Sequence, residues 1–375
     1  MIKEDLINKF CSGIIPEEKR KNKVTVSGIS TTLITAAINH TYVNESCKSS
    51  GKISKSQVIY RKLKGVSKER MQKNFRKHSI KLMRMLKTFS RGRKFIISFD
   101  ETEEDYYGEL NKGEDNLYIH NGCDNPKAKY HYYYLAVGIT GDDGTRYILD
   151  AKILKVGEYV EDVIYDMAKF IKKHLPIDVA LFDRGFGWGV IYKLQELKIN
   201  YIVFWKRQGG WYKKYFNKLN DGEFISIKRE KLDYNRCMTN HKVVSNFIIV
   251  KQLEYDNKKY DWIFATNLNL DSAERYVKRY KKRWGIETIF RVNDKIRIYT
   301  TSTDPIIRYF LFLFTCFVYN VWKFFQFFIG KDFTLGNFCT VFIIYLYKMK
   351  LIQPIHYERF EQLVDGSIKS IEANL

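Results

Sequence analysis

"VALFDRGFGWGVIYKLQELKINYIVFWKR", residues 179–207, decides the fold. It opens with a short β-rich run, Val179 to Asp183, and closes with another, "YIVFWKR" at 201–207. Between them "WGVIYKLQELKI" at 188–199 has the spacing of a helix. Working outward, "KFIISFDET" (94–102), "YHYYYLAVGIT" (130–140) and "RYILDAKIL" (146–154) read as strands, and "YVEDVIYDMAKFIKKHL" (159–175) as a helix. Three strands, then helix, strand, helix and strand predict a mixed α/β sheet with helices against it. The turn "DRGFGWG" at 183–189 follows a strand and opens a helix, as a dinucleotide loop would. That fingerprint needs its third glycine where Val190 stands, so the nucleotide reading fails. A tight, glycine-assisted turn carrying Asp183 remains.

The other segments differ in character. Residues 207–262 read as mostly β, with "FISIKRE", "VVSNFIIVKQLEY" and "KYDWIFATN". Residues 1–50 are nearly charge-balanced, and "GISTTLITAAINHTYV" suits a packed helix. Residues 52–94 hold sixteen Lys and Arg against one acid, Glu69. Two helices there, each opened by a serine and split at Gly65, loosely suggest a helix-turn-helix. A basic face on a helical linker has the same composition. Residues 331–375 carry no chemical motif.

The charge of the whole chain narrows its partners. Sixty-four Lys and Arg against 42 Asp and Glu leave a formal net charge of +22 over 375 residues. Such an excess repels itself unless a polyanion shares it, which points to nucleic acid first and an anionic membrane second. Residues 306–329 are very apolar, but Arg308, Asn320, Lys323 and Gln326 interrupt them. The longest clean run, Tyr309 to Tyr319, is too short for a bilayer, which needs about 20 residues. A buried core helix, and no membrane partner, is the expectation. Six scattered cysteines with no Cys-x-x-Cys pair suggest free thiols in a reducing compartment. The N-terminus "MIKEDLINKF" does not read as a signal peptide.

Carboxylates at strand ends are the candidate chemistry. Asp100 follows "FIISF" and Asp183 follows "VALF". Functional groups gather where strands of α/β sheets end, because the scaffold is rigid and the loops are open. Two such aspartates can share a hard divalent cation such as Mg²⁺, leaving room for phosphate and water. Asp183 would equally suit a residue that caps the next helix. Glu101, Glu103, Glu104 and Asp105 are rivals to Asp100, expected on a solvated loop.

A third acid lies in "YKKRWGIETIFR", Tyr280 to Arg291. At about 100° per residue, Arg283, Glu287, Arg291 and Lys295 all fall within roughly 60° of Tyr280 on one face. Glu287 would complete the ligand set, with Arg283, Arg291 and Lys295 holding phosphates. A docked helix with local ion pairs shows the same spacing. Asp294 falls on the same face and is a rival acid.

"FDET", "LFDRGF" and "YKKRWGIETIF", in that order, resemble the catalytic motifs of prokaryotic insertion-sequence transposases of the Asp-Asp-Glu class. They resemble most the cut-and-paste group with the signature Tyr, two residues, Arg, three residues, Glu, six residues, Lys. Tyr280, Arg283 and Glu287 match. The lysine departs, since Asp294 holds its place and Lys295 comes one later; Arg291 could substitute. The resemblance spans about residues 93–325 and implies a ribonuclease-H-like core over 93–206 and 263–330. It also implies that 207–262 is the group's β-rich insertion. Outside the resemblance, helical patterning and basic charge make 1–92 an expected all-α DNA-binding region, and 331–375 is left as a C-terminal region. Asp100, Asp183 and Glu287 would bind two Mg²⁺ ions, with Mn²⁺ as a substitute. The partners would be double-stranded transposon-end and target DNA, handled by a homodimer in a synaptic complex at the nucleoid, in the cytoplasm. "FWKRQGGWYKKYFNK" at 204–218 interleaves aromatics with cations, and Trp211 is the expected base contact, although a core or rim aromatic fits that position as well. Two other functions fit the same residues: a metal-dependent nuclease that never joins, and a catalytically silent DNA-binding regulator.

Overall fold

The structure, a computed structural model, describes residues 4–15, 24–50, 53, 55–110, 114–122, 127–141, 145–206, 210–236, 239–255 and 258–348. The chain divides into two compact units. One comprises Met1–His78, Tyr106–Asn116 and Arg291–Leu375, and the other Ser79–Asp105 and Leu117–Phe290.

The first unit begins with α1 (Glu4–Ile14), α2 (Val26–Ile38), α3 (Val43–Ser50), α4 (Ser56–Leu63) and the start of α5 (Lys68–Phe89). Helix α2 is capped by the Thr25 hydroxyl, which accepts the Gly28 N–H at 3.0 Å. Every residue of α2 from Gly28 to Ile38 is buried, as its run of small and apolar side chains requires. The basic stretch becomes α4 and α5. They are joined through Gly65 at φ +81°, a left-handed conformation that glycine adopts freely. Ser67 opens α5 by accepting the Arg70 N–H at 3.2 Å. The other expected cap, Ser54, lies outside the described residues, and Lys55 holds the cap position of α4.

The second unit is built on one nine-stranded sheet. In chain order it contributes β1 (Phe95–Tyr106, its last residue counted in the first unit), β2 (Ile119–Asn121), β3 (Tyr130–Thr140), β4 (Arg146–Ile153), α6 (Val160–His174) and β5 (Ile177–Phe182). Then come α7 (Trp188–Glu196), β6 (Tyr201–Phe204), the short α8 (Lys213–Phe216), β7 (Phe224–Arg236), β8 (Thr239–Tyr255), β9 (Lys258–Thr266) and α9 (Ala273–Tyr280). A 3₁₀ turn, Lys281–Arg283, leads into α10 (Trp284–Asn293). The strand order is β2-β3-β1-β5-β6-β9-β8-β7, with β4 also paired to β3. Strands β1, β5 and β6 run parallel, while β4 on β3 and β9 on β6 are antiparallel. The sheet is therefore mixed, and residues 179–204 contain β5, α7 and β6 as their patterning predicts; Arg207 lies outside the described residues.

Two boundaries depart from the sequence reading. Strands β7, β8 and β9 do not stand apart from the sheet but lengthen it, because β9 pairs with β6 from Ile202↔Thr266 to Phe204↔Phe264. Strand β9 runs across the expected edge at 262/263. Strand β1 continues well past Asp100, so Glu101, Glu103 and Glu104 lie on a strand rather than a loop. Partners on β3 explain why acids persist there: Tyr133 donates to Glu101 at 2.8 Å and Tyr134 to Glu104 at 2.7 Å, and Glu103 lies 3.6 Å from His131.

The first unit is completed by α11 (Pro305–Ile329) and α12 (Leu335–Lys348). Asp304 caps α11, accepting the Ile306 and Ile307 N–H groups at 2.7 and 3.4 Å. By length and composition α11 could cross a membrane, and half of its most apolar stretch is buried. Phe317 of α11 stacks on Phe10 of α1 with ring centroids 4.3 Å apart. The N-terminal helices thus share a core with a helix that the sequence reading assigned to the catalytic core. Cys11, Cys47 and Cys316 are buried free thiols and Cys339 is a half-buried one; Cys123 and Cys237 lie outside the described residues.

Candidate active site

The period-2 alternation of two neighbouring strands builds the site. On β1, Phe95, Ile97 and Phe99 enter the core under α6 and α7, while Ile96 joins the core on the opposite face. Ser98 and Asp100 follow Ile96 on that second face. On β5, Ala180 and Phe182 enter the first core and Val179 and Leu181 the second, so Asp183 emerges on the second face too. Ser98 pairs with Leu181, which brings Asp100 and Asp183 side by side two residues further on. Tyr276, Val277 and Tyr280 of α9 pack on this same face.

Glu287 arrives with α10. Its approach depends on Gly285, where an added Cβ would stand 2.8 Å from Thr140 Cβ at the end of β3. One turn on, Ile289 packs over Gly138 of the same strand. The single helix expected over Tyr280–Lys295 is interrupted, with 3₁₀ turns at Lys281–Arg283 and Asp294–Ile296. Three residues per turn instead of 3.6 rotate the later positions away from a continuous wheel.

Arg283 is the hub. It is almost fully buried, and its Nη1 lies 3.4 Å from Asp100 Oδ2. Its Nη2 lies 3.6 Å from Asp183 Oδ2 and bonds to Glu287 Oε1. Its Nε donates to the Tyr280 hydroxyl at 3.1 Å, and that hydroxyl donates to Asp183 Oδ1 at 3.3 Å. The structure therefore brings Asp100, Asp183, Glu287, Tyr280 and Arg283 together. Burial pushes the Asp100 carboxyl up to about 6, with the attraction of Arg283 opposing it. Burial alone would favour neutral Arg283, but Tyr280 and the three carboxylates outweigh it and raise its pKa.

The donor set is three carboxylates without imidazole or thiol, which suits a hard divalent ion. As the side chains stand, no three such groups among the described residues enclose an ion. The Arg283 guanidinium is what draws these acids towards one place. Asp100, Asp183 and Glu287 are the residues that would hold Mg²⁺ or Mn²⁺.

A cleft of about 670 Å³ opens at Asp183, lined also by Arg283, Trp205, Tyr260, Trp262 and Trp284. Arg184 and Lys206 add positive charge. Lys281 lies 4.7 Å from the Trp284 ring centroid and 5.6 Å from that of Trp262. These aromatics escape a motif search because Trp205, Trp262 and Trp284 come from separate segments. The one local signal was the interleaving of aromatics and cations around Trp205 and Trp284.

Trp211 is half-buried and packs edge-on against Phe247 at 5.1 Å, outside the residues that line the cleft. Arg291, in the last turn of α10, and Lys295, in the following 3₁₀ turn, are exposed and belong to the first unit. Asp294 belongs there too, where burial raises its carboxyl above the usual range against the attraction of Arg297 and His40.

Residues 115–315 match the family described as the transposase DDE domain. The match takes in Asp183 and Glu287 and begins after Asp100. No curated protein matches the chain by sequence. Among solved structures, its fold is similar to a piggyBac transposase seen in a synaptic complex with hairpin DNA. Identity is 9 %, the TM-score is 0.57, and the likeness covers 98 % of this chain and 85 % of that one. A Mos1 transposase, in a paired-end complex with the left transposon end, is 11 % identical over 50 % of this chain and 60 % of that one, with a TM-score of 0.18 that is too low to bear on the fold. Since the family match carries more than half of its length, the chain belongs to the transposase DDE-domain family.

Proposed function

We propose that this transposase cuts and rejoins DNA at the ends of an insertion sequence by a cut-and-paste route, with Asp100, Asp183 and Glu287 as its catalytic acids. The observation that carries the reading is the convergence of these three carboxylates on Arg283, beside an aromatic and cationic cleft. The strand order around β1 and β5 supports the ribonuclease-H-like core that the sequence resemblance implies. Two divalent ions, Mg²⁺ or Mn²⁺, held by the acids would make the attacking oxygen more nucleophilic and offset charge on the departing 3′-oxygen. The chain's residues align the strand. Tyr280 fixes both Asp183 and Arg283, and Arg283, Arg291 and Lys295 meet phosphates. A water oxygen first displaces the 3′-oxygen at the element's end, and the freed 3′-hydroxyl then attacks a second phosphodiester. The same groups serve both displacements, because the attacking atom is oxygen each time.

The cleft suits an unpaired base at a DNA end. Base–aromatic stacking is worth about 1–3 kcal/mol per base, and Trp284, which lines the cleft and is exposed, is better placed for it than Trp211. The basic helices α4 and α5 supply a phosphate-binding surface, and two ends handled together call for a homodimer acting on DNA in the cytoplasm. The test is a supercoiled plasmid carrying the gene's own flanking DNA, treated with wild type or Glu287→Gln, with Mg²⁺ or chelator. Metal-dependent cuts at the flank ends, absent in the variant, and joined products are expected. Cutting without joining would leave a nuclease, and binding without cutting a regulator.

A further inference from the structure

The two oxygens of each catalytic aspartate are not equivalent. Asp100 Oδ1 accepts the Glu101 N–H at 3.1 Å. Asp183 Oδ1 accepts the Arg184 N–H at 2.7 Å and the Tyr280 hydroxyl at 3.3 Å. Each Oδ1 is thus held by neighbouring protein groups. Each Oδ2 points to Arg283, at 3.4 and 3.6 Å, and Glu287 Oε1 does the same. For the two aspartates, the oxygens left to bind an ion are the ones that the guanidinium already engages, and on Glu287 it engages Oε1.

Arg283 suits this position. A planar guanidinium presents five N–H donors in a rigid fork and stays charged when buried. The Arg283 side chain is 5 % exposed, against 53 % for Glu287. Three carboxylates gathered on one face would repel each other without a cation between them. The guanidinium keeps the site assembled, and a divalent ion can take the same oxygens only after it has turned away.

We propose that Arg283 is a built-in place-holder for the divalent ion: its guanidinium occupies the shared carboxylate oxygens, and ion binding must displace it. This rests on the metal-binding reading of the three acids. The device preforms the site and raises the ion concentration needed to load it.

The test measures binding without DNA or turnover. Mn²⁺ is titrated into wild type, Arg283→Gln and Asp183→Asn, and free Mn²⁺ is followed by its electron paramagnetic resonance signal. Arg283→Gln should bind Mn²⁺ at least about fivefold more tightly than wild type, the low end of ordinary coupling between two ligands, and Asp183→Asn should lose the site. Equal or weaker binding by Arg283→Gln, at a site that Asp183→Asn removes, would overturn the place-holder and leave the metal reading standing. The absence in every protein of a Mn²⁺ site sensitive to Asp183→Asn would overturn both. Thermal melting gives a second readout, since Mn²⁺ should raise the Tm of Arg283→Gln more than that of wild type, and an equal rise counts against the proposal. If Arg283→Gln does not fold, Arg283→Lys decides, because a lysine cannot span the three acids: tighter Mn²⁺ binding than wild type supports the proposal and equal or weaker binding overturns it.

Discussion

Replacing Asp100 with Asn should make the metal-free protein more stable while abolishing cleavage. Burial raises the Asp100 carboxyl from an ordinary 3.8 to about 6, a figure already net of the attraction of Arg283. Each tenfold change in proton affinity is about 1.4 kcal/mol, so the ionised carboxylate costs about 3 kcal/mol relative to its protonated form. The sign follows from proton counting. Between about pH 4 and pH 6 the folded chain binds this proton more tightly than the unfolded chain does, so the Asp100 contribution to stability falls as pH rises through that window. An Asn side chain resembles the protonated acid and does not titrate. The two proteins should therefore be equally stable near pH 4, and the Asn variant should lead by about 3 kcal/mol above pH 6. Urea unfolding at several pH values, in chelator, measures the difference through the denaturation midpoints. Excess Mn²⁺ should shrink the gap at pH 8, because it stabilises only the ionised wild type. A variant that is no more stable than wild type at pH 8 in chelator would refute the reasoning.

Gly285→Ala should slow cleavage on the order of tenfold, because the new methyl group would meet Thr140 and push Glu287 outward by a few tenths of an ångström. Gly187→Ala, where a methyl group meets nothing within 4 Å, is the control for single-turnover cleavage rates, and equal rates for the two variants would count against the docking argument. Trp284→Ala should lower cleavage of a DNA end while leaving binding of internal duplex unchanged, by gel shift; a parallel loss of both would assign Trp284 to the fold. Lys73, Lys77 and Lys81 lie exposed on α5, and changing all three to Gln should flatten the dependence of log affinity on log salt by about two to three. An unchanged slope would put the DNA footprint elsewhere. Charge substitution is the cleaner test than deletion of 1–92, since removing α1 would expose the Phe317 face of α11.

Much of the site was legible because short-range rules carried it. β-rich runs marked β1 and β5 and put Asp100 and Asp183 after them; the β1–β5 register then shows that both leave on one face. The spacing of Arg283 and Glu287, four residues apart, survives in the structure as a direct ion pair. The helical wheel failed before Trp284 and after Asn293, because spacing alone does not reveal where an α-helix tightens to 3₁₀. Sequence also misjudged the end of β1: a run of acids looks like a solvated loop until Tyr133 and Tyr134 are seen on the neighbouring strand.

By itself the sequence determined the order of the main strands and helices, the basic character of α4 and α5, and which acids are the candidates. These follow from local periodicity and composition, which each segment carries alone. Only the tertiary structure decided that β7 to β9 extend the sheet, that the N-terminal helices share a core with α11, and that Trp205, Trp262 and Trp284 line one cleft. It also decided that Arg283 sits among the three acids, and that Gly285 lets α10 come close enough to deliver Glu287. Those facts depend on contacts between residues far apart in the chain, such as Asp100 with Arg283 and Phe10 with Phe317. Such contacts are set by packing of whole elements, and no local pattern in the sequence encodes them.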